Sequence, residues 1–347
     1  MRMPRFKLFI FIVLLAFNAC WKEQHHEITA PVIPSYNLLG TVIDIDDLTA
    51  VPGCSLMVRP VALLYEDSTY SGHEIVCDSL GQFEASGLIP GTYSIVTYRD
   101  GFDMTSEIMM MGHEDRQIEI KLPKVLVART RYSVENLDAR FNIPQIDGIE
   151  WLDDGDAIIV TPLNGEAQFL AKGRPGDMFY GIGNPDSIAM NPEFWGLTFL
   201  ESFWVGGGNL FDYRLYALDT VTGTIIDQID TEYQVMDLTN DGEALMVTSA
   251  IRKVFRYDIH TKTKIASHDL GFENPGGIAT SGSEIWISGS ADHYIFQFDP
   301  EMNPEKTYRP VYIDDDGNRS WMGEIKYLSF DSKGRLWATD GMNLYKF

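Results

Sequence analysis

Basic residues are scarce: 27 lysines and arginines face 50 aspartates and glutamates, for a formal charge of −23. Such a balance argues against nucleic acid and against electrostatic adhesion to anionic lipid. Cysteine is nearly missing too, with only Cys20, Cys54 and Cys77, and the last two lack metal-ligand spacing. The chain has no G-x-S-x-G, no H-E-x-x-H and no phosphate loop; GIGNPD lacks a third glycine and a strand-to-helix setting. Of seven histidines, His25 and His26 are adjacent near the N-terminus and no two others share a ligand spacing. These gaps remove the motif-borne hydrolases, metalloproteases and nucleotide-binding enzymes.

What is there starts with MRMPRFKLFIFIVLLAFNAC, where Arg2, Arg5 and Lys7 precede an apolar run from Leu8 to Phe17. The run is too short to span a bilayer comfortably and has the flanks of a secretory signal. With Cys20 directly behind it, the segment resembles a bacterial lipoprotein signal. That resemblance implies removal of residues 1–19, acylation of Cys20 and a tether over residues 20–36; an ordinary signal with an incidental cysteine is the alternative. Loss of the three basic residues would take the charge from −23 to −26. In an oxidising compartment Cys54 and Cys77 are either a disulfide or two buried thiols.

Residues 37–122 alternate apolar and polar in short runs: LLGTVID, SLMVRPVALLY, HEIVCD, GQFEASG, TYSIVTY and QIEIKL. This predicts six strands in an antiparallel β-sandwich. The run DSLGQFEASGLIPGTYSIVTYRDGF, with LLGTVID and AVPGCSLMV ahead of it, resembles the transthyretin-like, carboxypeptidase regulatory-like domain. The resemblance implies a stalk or spacer. Gly81 and Gly91 are expected in turns that need unusual backbone angles, and Phe83 and Tyr93 in the core.

Residues 123–347 repeat. IIVT, FWVG, LMVT, IWIS and LWAT centre on Ile159, Trp204, Met246, Trp286 and Trp337, spaced by 45, 42, 40 and 51 residues. A first strand precedes each, and third and fourth strands follow most of them. Four strands in roughly 40 to 45 residues is the signature of a β-propeller blade. Five blades are visible, and Lys172 to Phe194 holds either a sixth or one long loop. The last copy ends at NLYKF without an outer strand, and KVLVARTRYSVE, Lys124 to Glu135, is expected to fill that place and close the ring. The copies GGIATSGSEIWISGSADHYIFQFD and LSFDSKGRLWATDGMNLYKF resemble the NHL, gluconolactonase-like and sensor-kinase periplasmic propellers.

The predicted fold is thus all-β, a sandwich followed by a propeller, with several candidate sites. Asp314 and Asp316 in DDDGN are the cation candidates, calcium being the ion, with a solvated loop as the alternative. Gluconolactonase-like propellers hold a divalent metal on the axis. The matching inner-strand starts here are Asp147, Trp195, Gln234, Gly277 and Glu324, of which Asp147 and Glu324 are expected to face each other across the pore, an incomplete ligand set. For ligand contact at the channel mouth the candidates are Trp321, Arg319, Glu324, Asp147, Trp195 and Tyr180. Packing between blades is the alternative for Trp195 and Trp321. The expectation is a non-enzymatic, lipid-anchored protein of the bacterial cell envelope, presenting its propeller to a protein or glycan. A metal-dependent hydrolase or lyase is the competing expectation.

Overall fold

The computed structural model describes residues 34–61, 72–133, 146–152, 156–163, 167–174, 180–182, 193–209, 212–289, 291 and 293–347. The signal-like segment and Cys20 lie outside them. The chain is all-β, and its described strands form seven sheets.

Two sheets come from the N-terminal part. One contains β1 (Tyr36–Asp44), β4 (Gln82–Leu88) and β7 (Arg116–Leu122) in the order β4-β1-β7. The other contains β2 (Ser55–Pro60), β3 (His73–Val76), β5 (Gly91–Tyr98) and β6 (Thr105–Met111) in the order β3-β2-β5-β6. Alternation sets their inner faces: Phe83 and Ala85 turn inward on β4 while Gln82 and Glu84 turn out. Leu38, Leu56, Phe83, Tyr93, Ile95 and Ile120 meet in one shared core.

Cys54 and Cys77, buried at the adjoining ends of β2 and β3, are disulfide-bonded, with Cα atoms 5.2 Å apart. Three expectations are corrected. β7 pairs with β1 in parallel, from Leu38 against Arg116 to Asp44 against Leu122, so the two strands run the same way and the chain leaves beside Asp44. The seventh strand, β6, was hidden because Ile108 and Met110 point to solvent, which erases the polar half of its alternation. And Gly91 opens β5 without a left-handed angle, whereas Gly81 (φ 69°) carries one in the turn before β4 and Gly87 (φ 79°) one inside β4.

The C-terminal part builds five sheets in chain order. The first is β10 (Gly148–Trp151), β11 (Ala157–Leu163), β12 (Ala167–Gly173) and β13 (Tyr180–Ile182). The second is β14 (Glu193–Leu200), β15 (Ser202–Asn209), β16 (Asp212–Leu218) and β17 (Ile225–Thr231). The third is β18 (Val235–Asn240), β19 (Leu245–Ser249), β20 (Lys253–Asp258) and β21 (Thr263–Asp269). The fourth is β22 (Pro275–Ser281), β23 (Glu284–Gly289), β24 (Tyr294–Phe298) and β25 (Pro304–Ile313), extended by β26 (Arg319–Trp321). The fifth is β27 (Tyr327–Phe330), β28 (Leu336–Thr339) and β29 (Asn343–Lys346).

The segment before the first of these sheets divides into β8 (Lys124–Ala128) and β9 (Thr130–Ser133). β9 lies antiparallel to β29, Arg131 opposite Tyr345, and is the fourth strand of the fifth sheet. β8 does not share that role; it runs parallel to β25, Lys124 opposite Tyr308, in the fourth sheet. The stretch from Lys172 to Phe194 supplies the end of β12, then β13 and the start of β14, and no sixth sheet appears among the described residues.

First strands of successive sheets are neighbours, β10 to β14, β14 to β18, β18 to β22 and β22 to β27, and β27 is in turn a neighbour of β10. The second-strand hydroxyl of the repeat makes two of these junctions. Thr248 Oγ1 accepts from Asp237 N–H (3.1 Å) in its own sheet and donates to Gly276 O (2.7 Å) in the next. Ser288 Oγ likewise accepts from Gly277 N–H (2.7 Å) and donates to Ile325 O (2.8 Å). FWVG has glycine instead, because a Cβ on Gly206 would lie 2.2 Å from Val235 Cγ1 of the third sheet. Between the fifth and first sheets, Ile146 N–H donates to Gly341 O at 2.7 Å.

Acidic residues concentrate in the hairpins. Asp258 accepts from the amides of His260 and Thr261, and Asp299 from both the amide and side chain of Asn303, each at 2.8 Å. Much of the acidity is therefore turn chemistry.

The two parts meet along a polar seam. Lys124 Nζ lies 2.8 Å from Asp44, and Thr307 N–H donates to Asp46 at 2.8 Å. Buried Asp103 faces Arg309 and Arg319, each at 3.8 Å.

Candidate functional site

The five neighbouring first strands carry one polar side chain each at an equivalent step. Aligned on it, they read GIEW, GLTF, DLTN, IATS and YLSF, which sets Glu150, Thr198, Thr239, Thr280 and Ser329 in one column. Period-two alternation puts Asp237 on the same face as Thr239, and Tyr327 on the same face as Ser329, one step deeper.

Within this column the side chains touch across sheets. Ser329 Oγ donates to Glu150 Oε2 at 3.2 Å, Thr239 and Thr280 hydroxyls lie 3.4 Å apart, and the Thr280 hydroxyl donates to Asn240 O. Asn240 Nδ2 donates to Thr198 Oγ1 at 2.9 Å. Glu150 also accepts from the Phe199 amide and bonds Thr198. Burial pushes its carboxyl up to about 8, although these bonds pull the other way. Glu150 therefore holds its proton to a higher pH than an exposed glutamate does.

Asp237 forms the floor. Its Oδ2 accepts from Ile278 N–H (2.9 Å) and Leu328 N–H (3.3 Å), so one carboxyl ties the third, fourth and fifth sheets together. Burial drives this carboxyl well above the usual range, with Glu150 adding to the shift. From the second sheet Gly196 presses against it: at φ 66°, a Cβ there would stand 2.4 Å from Asp237 Oδ1. Gly196 N–H donates to Asp147 O at 2.6 Å, which brings the first sheet to the same place.

At the same step as Asp237 lies a second group. The Tyr327 phenol is buried and raised first by burial, then by the charges of Asp147, Asp237 and Glu324. Asp147 and Glu324 thus both act on this phenol. They come from neighbouring first and fifth sheets rather than opposite sides, Asp147 buried and Glu324 exposed. Trp195 is partly buried at a register shift in β14.

The other candidates sit elsewhere. Tyr180 opens β13, the outermost strand of its sheet. Trp321 and Arg319 belong to β26 at the polar seam, where the guanidinium of Arg319 lies 4.7 Å and that of Arg309 5.5 Å from the Trp321 ring. Trp321 is 44% exposed and flanked by cations that also face Asp103. In DDDGN, Asp314 accepts from Asn318 Nδ2 (3.0 Å) and from the amides of Asn318 (2.8 Å) and Asp316 (3.0 Å). The Asn318 side chain first, then these amides, holds its carboxyl below the usual range, and both its oxygens are engaged within the loop. Among the described residues no three His, Cys, Asp or Glu side chains converge as a metal would need.

No protein-family model matches the chain, and no curated protein matches it. Among solved structures, Myxococcus xanthus glutaminyl cyclase aligns at 11% identity over 65% of this chain and 97% of its own, with a TM-score of 0.45. A streptogramin B lyase aligns at 14% over 62% and 96% (TM-score 0.36), and the Dos1 propeller at 13% over 79% and 73% (TM-score 0.35). These likenesses are too loose to carry a fold or an activity across.

Proposed function

We propose that this chain is a non-enzymatic, lipid-anchored protein of the bacterial cell envelope, in which a β-sandwich carries a five-bladed β-propeller that presents a binding face to a protein or glycan. The observation that carries the architecture is the neighbour relation of first strands, which passes through β10, β14, β18, β22 and β27 and returns to β10. The pairing of β9 with β29 supports it, since a strand from before the first blade then completes the last. Two sheets around one core support the sandwich. The signal-like N-terminus with Cys20 supports the anchor, where several acyl chains would hold stably.

One observation favours catalysis instead: a carboxyl raised by burial among the first strands, Glu150, has the makings of a general acid. The Asp147 and Glu324 pair is the ligand set left to a metal-dependent hydrolase or lyase.

Membrane fractionation with fatty-acid labelling tests the anchor: Cys20→Ser should lose the label and leave the membrane. Assays on lactones and phosphoesters, with and without divalent metal, test the binding role. Turnover abolished by Glu150→Gln or Glu324→Gln would overturn it.

A further inference from the structure

We propose that the free edge of β6 is a self-association surface, on which β6 of a second copy of this chain pairs antiparallel about Ile108 and joins two sheets into one. Among the described residues β6 pairs with β5 alone, from Gly91 against Met111 to Thr97 against Thr105, with no bulge over its seven residues. Its other side therefore offers backbone donors and acceptors to an incoming strand. Ile108 and Met110 stand on the outward face, 75% and 68% exposed. An unbroken apolar edge of this length is a template for another strand. The pairing involves neither the anchor nor the C-terminal sheets.

The other three edges of these two N-terminal sheets are guarded. β7 exposes Arg116, Glu119 and Lys121. β4 exposes Glu84 and breaks its line with left-handed Gly87, and β3 is four residues long with Glu74 exposed. β6 has no lysine, proline or bulge. Its single charge is Glu107, which alternation turns to the same face as Met109 and Met111, toward the other sheet. Burial pushes this carboxyl above the usual range, and among the described residues no cation offsets the shift. Such an inward carboxyl turns away strands that bring no cation to meet it.

A second copy brings that cation. Pairing about Ile108 sets Ile108 opposite its own counterpart, Met110 opposite Ser106 and Met109 opposite Glu107, so the two carboxyls do not face each other. Arg116, which opens β7 in the other sheet, donates from its guanidinium to Met110 O. In the paired state it stands one step from Glu107 of the second copy, and the two-fold axis repeats the contact. Ile108 and Met110 of both copies then form one apolar strip across the junction. A strand from another protein would have to reproduce this exchange of Arg for Glu; a second copy does so by symmetry.

The test is the mass of the full chain by multi-angle light scattering, in detergent with micelles in excess over chains. The wild type should pass from monomer to dimer as its concentration rises. Ile108→Lys should weaken the dimer by about tenfold or more, with an unchanged circular dichroism spectrum. Glu107→Arg and Arg116→Glu should each be monomeric alone, since like charges then meet, and should form a dimer when mixed, since both contacts then join opposite charges. A purely structural role for either residue would not be rescued by mixing. A wild type that stays monomeric up to about 100 µM, a dimer that survives Ile108→Lys, or a mixture that stays monomeric would overturn the proposal. So would a monomeric wild type that loses some other protein partner on Ile108→Lys, which would give this edge to a different strand.

Discussion

Glu150 ties the centre of the five sheets to a measurable pH dependence. Its carboxyl moves from an ordinary 4.5 to about 8 on folding, because burial disfavours the ionised form. A raised acid contributes its full stability below the unfolded value, and that contribution is lost as pH climbs through the folded value. Across that gap the unfolded chain sheds a proton that the folded chain keeps, so stability falls by up to ~1.4 kcal/mol per pH unit, or ~5 kcal/mol in total. Glu150 as a residue is only partly buried, and solvent relaxation brings the expected loss nearer ~3 kcal/mol. Glu150→Gln has no proton to lose and keeps the acceptor for Ser329 and Phe199. Urea unfolding of both chains at pH 5, 7 and 9, followed by tryptophan fluorescence, should show the wild type losing ~3 kcal/mol more than the variant between the extremes. Asp237 is also raised, in part by Glu150, so the difference reports Glu150 together with its coupling to Asp237. Parallel curves would refute the protonated acid.

Other perturbations probe how the sheets are joined. Thr248→Val keeps the shape but strands Asp237 N–H and Gly276 O, both served by one buried hydroxyl, and should cost ~2–4 kcal/mol in the same urea assay. Gly196→Ala combines a φ of 66° with a Cβ 2.9 Å from Asp237 Cα and should prevent stable folding. Gly282→Ala, at φ 59° with nothing within 4 Å, should cost only ~1 kcal/mol, so thermal melts of the pair separate crowding from backbone strain. Replacing Cys54 and Cys77 with alanine opens a loop of 23 residues and should lower stability by ~3 kcal/mol in non-reducing urea titrations.

Wherever alternation or spacing recurs, the strands were legible. The five central residues Ile159, Trp204, Met246, Trp286 and Trp337 all fall in the second strands of their sheets, where bulk packs against the neighbouring sheet. β6 escaped because Met109 and Met111 are buried while Ile108 and Met110 are not, a difference invisible to hydropathy. The break between β8 and β9 escaped because KVLVARTRYSVE reads as one strand, and only its neighbours assign Lys124 to β25 and Arg131 to β29. The polar column lay in plain view as E, T, T, T and S in first strands otherwise apolar. It was passed over because no single member belongs to a catalytic motif. The setting of Arg319 was not legible in DDDGNRSWMGE, because its partner Asp103 is remote in sequence.

The junction at Pro123 also has a mechanical meaning. β7 ends at Leu122, β8 begins at Lys124, and β8 lies along β25 with five residues in parallel register. Tension transmitted through Pro123 pulls β8 lengthwise, so the ladder resists in shear, its rungs strained together instead of peeling one after another. The lysine clamp from Lys124 to Asp44 stands at the point where that force enters. Such a splice carries load from one half to the other without behaving as a hinge.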